Sequence, residues 1–177
     1  MDIINYYEKY GNRDYIGESI TQNEHMIQAA MLAEKDNQPI EVVLAAFLHD
    51  IGHLIQYECS DENRMGKYGI KNHEKIGSQF LRDIGIRYPI PELVENHVKV
   101  KRYRTFKDKE YYKKLSDASK KTLKYQGGPM NKEEAENFEK DPLFKYSLKI
   151  RDYDDMAKIP NIKIYKLNYF RELLSKL

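Results

Sequence analysis

The stretch AAFLHDIGHLIQ, residues 45–56, sets His49, Asp50 and His53 inside an otherwise apolar run. PIEVVLAAFLHDIGHLI, residues 39–55, is apolar almost all round, as in a helix buried at the centre of a protein. A charged group in such a helix costs several kcal/mol unless it is paired or binds a metal. The stretch therefore predicts a central core helix that carries polar groups set to bind something.

Outward from it, helices succeed one another. TQNEHMIQAAMLAEKD (21–36) places His25, Ala29 and Leu32 near one face, and Thr21 with Glu24 fits a capping box. The central helix itself is expected over 39–55, with Pro39 at a favourable first position. Residues 72–85 carry Ile76, Phe80, Leu81 and Ile84 at helical spacing, with Gly85 as the stop. A proline opens the next helix, 91–103. The one after it, beginning at Leu115, ends at Gly127-Gly128-Pro129. Asn131 and Glu134 sit in capping positions for 131–142, and segments 142–158 and 164–177 finish the chain. No segment alternates at period two, and there are no repeats, low-complexity tracts or long linkers. The expectation is an all-α fold forming one domain over 1–177.

Composition narrows the partners. The 177 residues suffice for a real hydrophobic core. Thirty Lys and Arg against 28 Asp and Glu leave a formal net charge of +2, which gives no electrostatic reason to expect nucleic acid or a membrane. The one cysteine, Cys59, cannot form an internal disulfide. The start MDIINYYEKY lacks a signal-peptide pattern, and no apolar run approaches the ~20 residues that span a bilayer. These features predict a soluble, cytoplasmic protein.

All five histidines, His25, His49, His53, His73 and His97, fall on expected helices or at their starts. Any one alone reads as a core histidine satisfied by a backbone carbonyl. Five together, with an acid directly after His49, read as a metal site. Histidine and carboxylate suit zinc, iron or manganese, and thiolate sites are excluded by the cysteine count. In a helix bundle, inward-pointing ligands from facing helices build a two-metal carboxylate site. Consecutive residues diverge by about 100° around a helix. A bridging Asp50 would satisfy that geometry and hold two metals near each other.

The ordered pattern of His25, His49-Asp50 and a late aspartate resembles the HD-domain metal-dependent phosphohydrolases, an all-helical bundle with a di-metal site in its core. His73 and His97 match the subset with two metals. HVKVKRYR (97–104), LSDASKKTLKYQGGPM (115–130) and RDYDDMAK (151–158) are similar to segments of the PhnZ-like HD-domain oxygenases. Those enzymes cleave the carbon–phosphorus bond of 1-hydroxyphosphonates with a mixed-valent Fe(II)/Fe(III) di-iron centre. The likeness runs from Tyr15 to Lys158.

The resemblance implies one iron held by His25, His49 and Asp154, another by His73 and His97, and Asp50 between them. Asp154 is the implied ligand of DYDD because it stands four residues before Lys158; Asp152 and Asp155 are expected to be solvated or supporting. Lys101, on the same face as His97 one turn on, is implied to hold the phosphonate. Arg151, one turn before Asp154, would add a second cation suited to bidentate oxygens. Ser119 and Thr122, three apart, face one way and would add hydroxyls. His53, one turn after His49, is implied to contact substrate or support the ligands. Tyr15 and Glu18 correspond to a mobile gate that occupies the site until substrate displaces it, and Glu18 could also meet an ammonium group.

The implied reaction consumes the 1-hydroxyphosphonate and O2 and yields phosphate and a carboxylic acid, a step in phosphonate catabolism. Hydroxymethylphosphonate and 2-amino-1-hydroxyethylphosphonate both fit. Two other readings use the same residues. A phosphohydrolase would use the ligands to activate water on a phosphate ester or nucleotide. A metal-bound sensor or helical interaction module would bind without turnover, although no expected ligand is missing. Oligomeric state has no signature in the sequence.

Overall fold

The structure, a computed structural model, describes residues 2–15, 17–58 and 70–177; Cys59 lies outside the described residues. Every regular element among them is a helix. Tyrosines build the first one, α1 (Ile4–Tyr10), which buries Ile4, Tyr6, Tyr7 and Tyr10. The Tyr7 ring stacks on Phe47 at 4.3 Å and its hydroxyl donates to the Phe47 carbonyl at 2.7 Å, so a polar tip is satisfied inside the core. Helix α2 (Gln22–Lys35) starts at the expected capping box, with Thr21 and Glu24 bonding each other's backbone N–H.

The central segment is not one helix. It splits into α3 (Ile40–Leu48) and α4 (Ile51–Ile55), and Asp50 between them leaves helical geometry at φ −105°, ψ 13°. Pro39 caps α3 from outside. Because Asp50 is non-helical, the 100° spacing of an unbroken helix does not apply to it. Gly52 then lets α4 lie against α5 (His73–Asp83): a Cβ there would stand 2.0 Å from the His73 carbonyl oxygen. This close approach carries His73 up to Asp50.

Helix α6 is longer than expected, running Ile90–Lys107, and α7 (Lys109–Lys114) follows it at once, capped by Asp108. Helix α8 (Asp117–Tyr125) ends before Gly127 and Gly128, both at positive φ. The expected Asn131–Glu134 capping box opens α9 (Lys132–Phe138). Helices α10 (Phe144–Met156) and α11 (Leu167–Leu174) complete the bundle. Helices α2, α3 and α10 pack on one another, α6 packs on α3 and α10, and α5 covers α4 and α6. The main core gathers Leu44, Phe47, Leu48, Ile51 and Leu81 with Phe170, which stacks on Phe47 at 3.9 Å. None of the described helices is long and apolar enough to cross a membrane.

Candidate metal centre

Four of the five histidines meet where α2, the α3–α4 break, α5 and α6 converge. Each uses Nδ1 to donate to a main-chain carbonyl: His25 to Ala157 at 2.9 Å, His49 to Ala46 at 2.7 Å, His73 to Ile70 at 3.4 Å and His97 to Val94 at 2.6 Å. A carbonyl only accepts, so the proton is fixed on Nδ1 and the Nε2 lone pair of a neutral ring is turned inward. Those lone pairs face each other. His25 Nε2 lies 3.0 Å from His49 Nε2, and His73 Nε2 lies 3.1 Å from His97 Nε2.

Two carboxylates complete the cluster. Asp154 Oδ1 lies 3.4 Å from His25 Nε2 and 4.0 Å from His49 Nε2. Asp50 spans the groups: Oδ1 is 3.2 Å from His73 and 3.6 Å from His97, while Oδ2 is 3.6 Å from His49 and 3.7 Å from His25. His25, His49 and Asp154 thus form one buried triad, and Asp50, His73 and His97 a second. Cis donors on an ion with bonds of about 2.1 Å stand about 3.0 Å apart in an octahedron and about 3.4 Å in a tetrahedron. The closest donor separations match those edges. Four inward lone pairs and two buried anions are mutually unfavourable without cations between them, and this donor set fits two metal ions.

The titration of the groups agrees with that demand. Burial alone would raise the Asp50 carboxyl, but His49 and the hydrogen bond from His73 outweigh it and hold it well below the usual range. Asp154 is likewise lowered, burial being overcome by Arg151 and then His25. Burial lowers His49 and, more strongly, His97. His73 is raised despite burial, because Asp50 bonds and attracts its proton.

The aspartates of DYDD separate cleanly. Asp154 is 4% exposed and faces the histidines. Asp152 pairs with Arg104 at the surface, and Asp155 bonds Arg151 and Tyr111. The fifth histidine, His53, stacks on His73 at 4.0 Å and lines the adjoining pocket; burial pushes it down to about 3.

That pocket lies against Asp50, His73, His97 and Asp154, and Tyr15, Glu18, Lys101, Ser119, Thr122 and Arg151 all line it. Lys101 is buried and donates to Thr122 Oγ1 at 3.1 Å, while the Thr122 hydroxyl donates to the Ser119 carbonyl. Burial, then the Arg151 charge, push the Lys101 ammonium down to about 7. Arg151 donates Nη1 to Asp154 Oδ2 at 2.8 Å, which leaves Asp154 Oδ1 for the histidine side. Tyr15 stacks on His25 at 3.9 Å in a turn closed by its N–H to the Ile20 carbonyl, with Gly17 at φ +87°. Glu18 is already matched, its carboxylate 3.3 Å from Lys158 Nζ. Free space in the pocket is about 100 Å³, room for several waters.

Sequence reading passed over Gln126. Both ends of its side-chain amide are buried without a hydrogen-bond partner, and it lines the pocket. Its signal was present in the same QGGPM run that carried the resemblance.

The chain is similar to known proteins over most of its length. The HD-domain family model matches residues 24–136, a span that contains every histidine and Asp50 but not Asp154. The chain belongs to the HD-domain family. Within that family, two of its relatives are named as phosphonate dioxygenases of the PhnZ-like kind. It is 34% identical over 175 residues to a [1-hydroxy-2-(trimethylamino)ethyl]phosphonate dioxygenase (glycine-betaine-forming) of Leisingera caerulea, covering 97% of this chain and 86% of the relative. It is 34% identical over 158 residues to a hydroxymethylphosphonate dioxygenase of Gimesia maris, covering 89% and 78%. An uncharacterised protein of Acanthamoeba polyphaga mimivirus is 51% identical over 172 residues, covering 97% and 78%.

Proposed function

We propose that the chain, acting as one domain, is an O2-dependent oxygenase that cleaves the carbon–phosphorus bond of a small 1-hydroxyphosphonate. The observation that carries this reading is the joining of a two-metal donor set to a small pocket whose far wall is cationic. Iron in both positions is part of the proposal; when bound, the pair supplies the one-electron chemistry with O2 that protein side chains lack.

The residues divide the remaining work. His25, His49 and Asp154 hold one ion, His73 and His97 the other, and Asp50 offers an oxygen to each. Lys101 and Arg151 bind the phosphonate oxygens, with hydroxyls from Ser119 and Thr122 and the unpartnered amide of Gln126 beside them. A phosphonate dianion recharges Lys101, whose proton is loosely held at neutral pH. His53 keeps the His73 ring in place and meets substrate from that side. Tyr15 and Glu18 form the wall that must move as substrate enters. For hydroxymethylphosphonate the balance is one O2 consumed, with formate and phosphate formed; the substrate supplies all four electrons.

The test is to incubate iron-loaded protein with hydroxymethylphosphonate and, separately, with 2-amino-1-hydroxyethylphosphonate, first without oxygen and then in air. Phosphate with formate or glycine, appearing only in air, is the expected result. Phosphate released from esters without oxygen would replace this reading with hydrolysis.

A further inference from the structure

Arg151 does not reach the pocket unaided. Its guanidinium donates Nε to the Tyr111 hydroxyl at 2.9 Å, Nη1 to Asp154 at 2.8 Å and Nη2 to Asp155 Oδ1. The Tyr111 hydroxyl in turn donates to Asp155 Oδ2 at 2.7 Å. Arg151, Asp155 and Tyr111 therefore close a ring in which every polar atom of Asp155 and Tyr111 is used. Two helices contribute: Arg151 and Asp155 come from α10, one turn apart, and Tyr111 from the short α7. Arginine has five N–H groups. Three are committed to this ring and to Asp154; the two that remain belong to Nη1 and Nη2, and the residue lines the pocket.

We infer that Tyr111, with Asp155, is a positioning residue that fixes the Arg151 plane so that its free edge faces the phosphonate. This inference rests on the proposed function, since it needs the pocket to take a phosphonate. The physical need is plain. Asp154 and Asp155 both attract the guanidinium, and without a third anchor the group can turn about its Cδ–Nε bond and give its free edge to either carboxylate. A phenol at Nε is neutral, so it fixes the plane without adding another anion to compete with substrate.

The test uses full-length, metal-loaded protein without oxygen, titrated calorimetrically with hydroxymethylphosphonate and with inorganic phosphate. Tyr111→Phe removes one hydroxyl and no packing. The expected result is an affinity about tenfold lower for both ligands. Metal content stays at the wild-type level, and in air KM rises while kcat stays within about twofold. Because Tyr111 acts through Arg151, adding Tyr111→Phe to Arg151→Lys should cost nothing further, a coupling that general loosening of the fold would not produce. Asp155→Asn provides a second entry to the same ring and should lower affinity as well. Wild-type affinity in both single variants, equal losses with and without Arg151, or loss of metal together with affinity would each overturn the inference. Wild-type protein that holds two metals yet binds neither ligand would overturn the proposed function and this inference together; a normal wild type beside a silent Tyr111→Phe overturns the inference alone.

Discussion

His25 and His49 aim their Nε2 atoms at each other across 3.0 Å, with each Nδ1 already committed to a carbonyl. Two neutral rings held that way present lone pair to lone pair, which is unfavourable until a proton or a cation lies between them. His73 and His97 repeat the arrangement at 3.1 Å, and Asp50 has an oxygen on each side. The fold thus supports a pair of ligand sites that share one carboxylate, and the consequences can be measured.

Asp50→Ala removes the carboxylate of the Asp50–His73–His97 triad, whose second oxygen also lies 3.6 Å from His49 and 3.7 Å from His25 in the other. The expected outcome is loss of both metals, read by elemental analysis after loading and desalting. His97→Ala should strip one site preferentially. Retention of about two equivalents by Asp50→Ala would exclude the shared role.

Gly52→Ala places a methyl group 2.0 Å from the His73 carbonyl oxygen, a backbone atom that cannot swing aside. Helices α4 and α5 must then separate, at a cost of about 3 kcal/mol or more. A lower thermal midpoint and a metal content falling toward one equivalent are expected, since the displaced residue is the His73 ligand itself. Wild-type stability would show that the two helices do not approach as described.

Lys101→Ala leaves every metal donor in place and removes a buried cation from the pocket. Phosphonate affinity should fall about 30-fold or more, with the metal content unchanged. Unaltered affinity would return the lysine to a purely structural role beside Thr122.

The same lysine predicts a pH dependence in the metal-free protein. Burial and Arg151 lower its ammonium to about 7 from an ordinary 10.5. Between those values the unfolded chain binds the proton that the folded chain has released, so this residue's contribution to stability rises with pH across that window and is lost as pH falls toward 7. Denaturant melts at pH 7 and pH 9 should show wild type gaining stability relative to Lys101→Met at the higher pH. Parallel behaviour of the two proteins would contradict it.

Much of the fold could be read from the chain, for definite reasons. The capping boxes at Thr21–Glu24 and Asn131–Glu134 set helix starts because they satisfy otherwise orphaned N–H groups, and both occur where expected. The break at Asp50 was not legible. A helix that is apolar on every side has no face whose change could reveal a bend, and neither glycine nor proline stands at 49–50. Nor did α1 declare itself, because its buried face is made of tyrosines whose hydroxyls read as polar until partners such as the Phe47 carbonyl are seen. Helix α7 is six residues of mostly lysine and tyrosine and buries none of them, so no periodicity marks it. In the site, spacing places residues on faces but does not distinguish three aspartates within four positions; burial does, setting Asp154 inward and leaving Asp152 with Arg104. Gln126 shows the converse. Only the structure reveals a side-chain amide that is buried and unpartnered.

The most direct test of the account is the stoichiometry of oxygen and phosphate. Iron-loaded protein is mixed with hydroxymethylphosphonate in an oxygen-electrode chamber, and dissolved O2, phosphate and formate are followed together. About one O2 should be consumed for each phosphate and formate formed, with no phosphate when oxygen is withheld. Phosphate released with no oxygen uptake would contradict it and make this site a hydrolase.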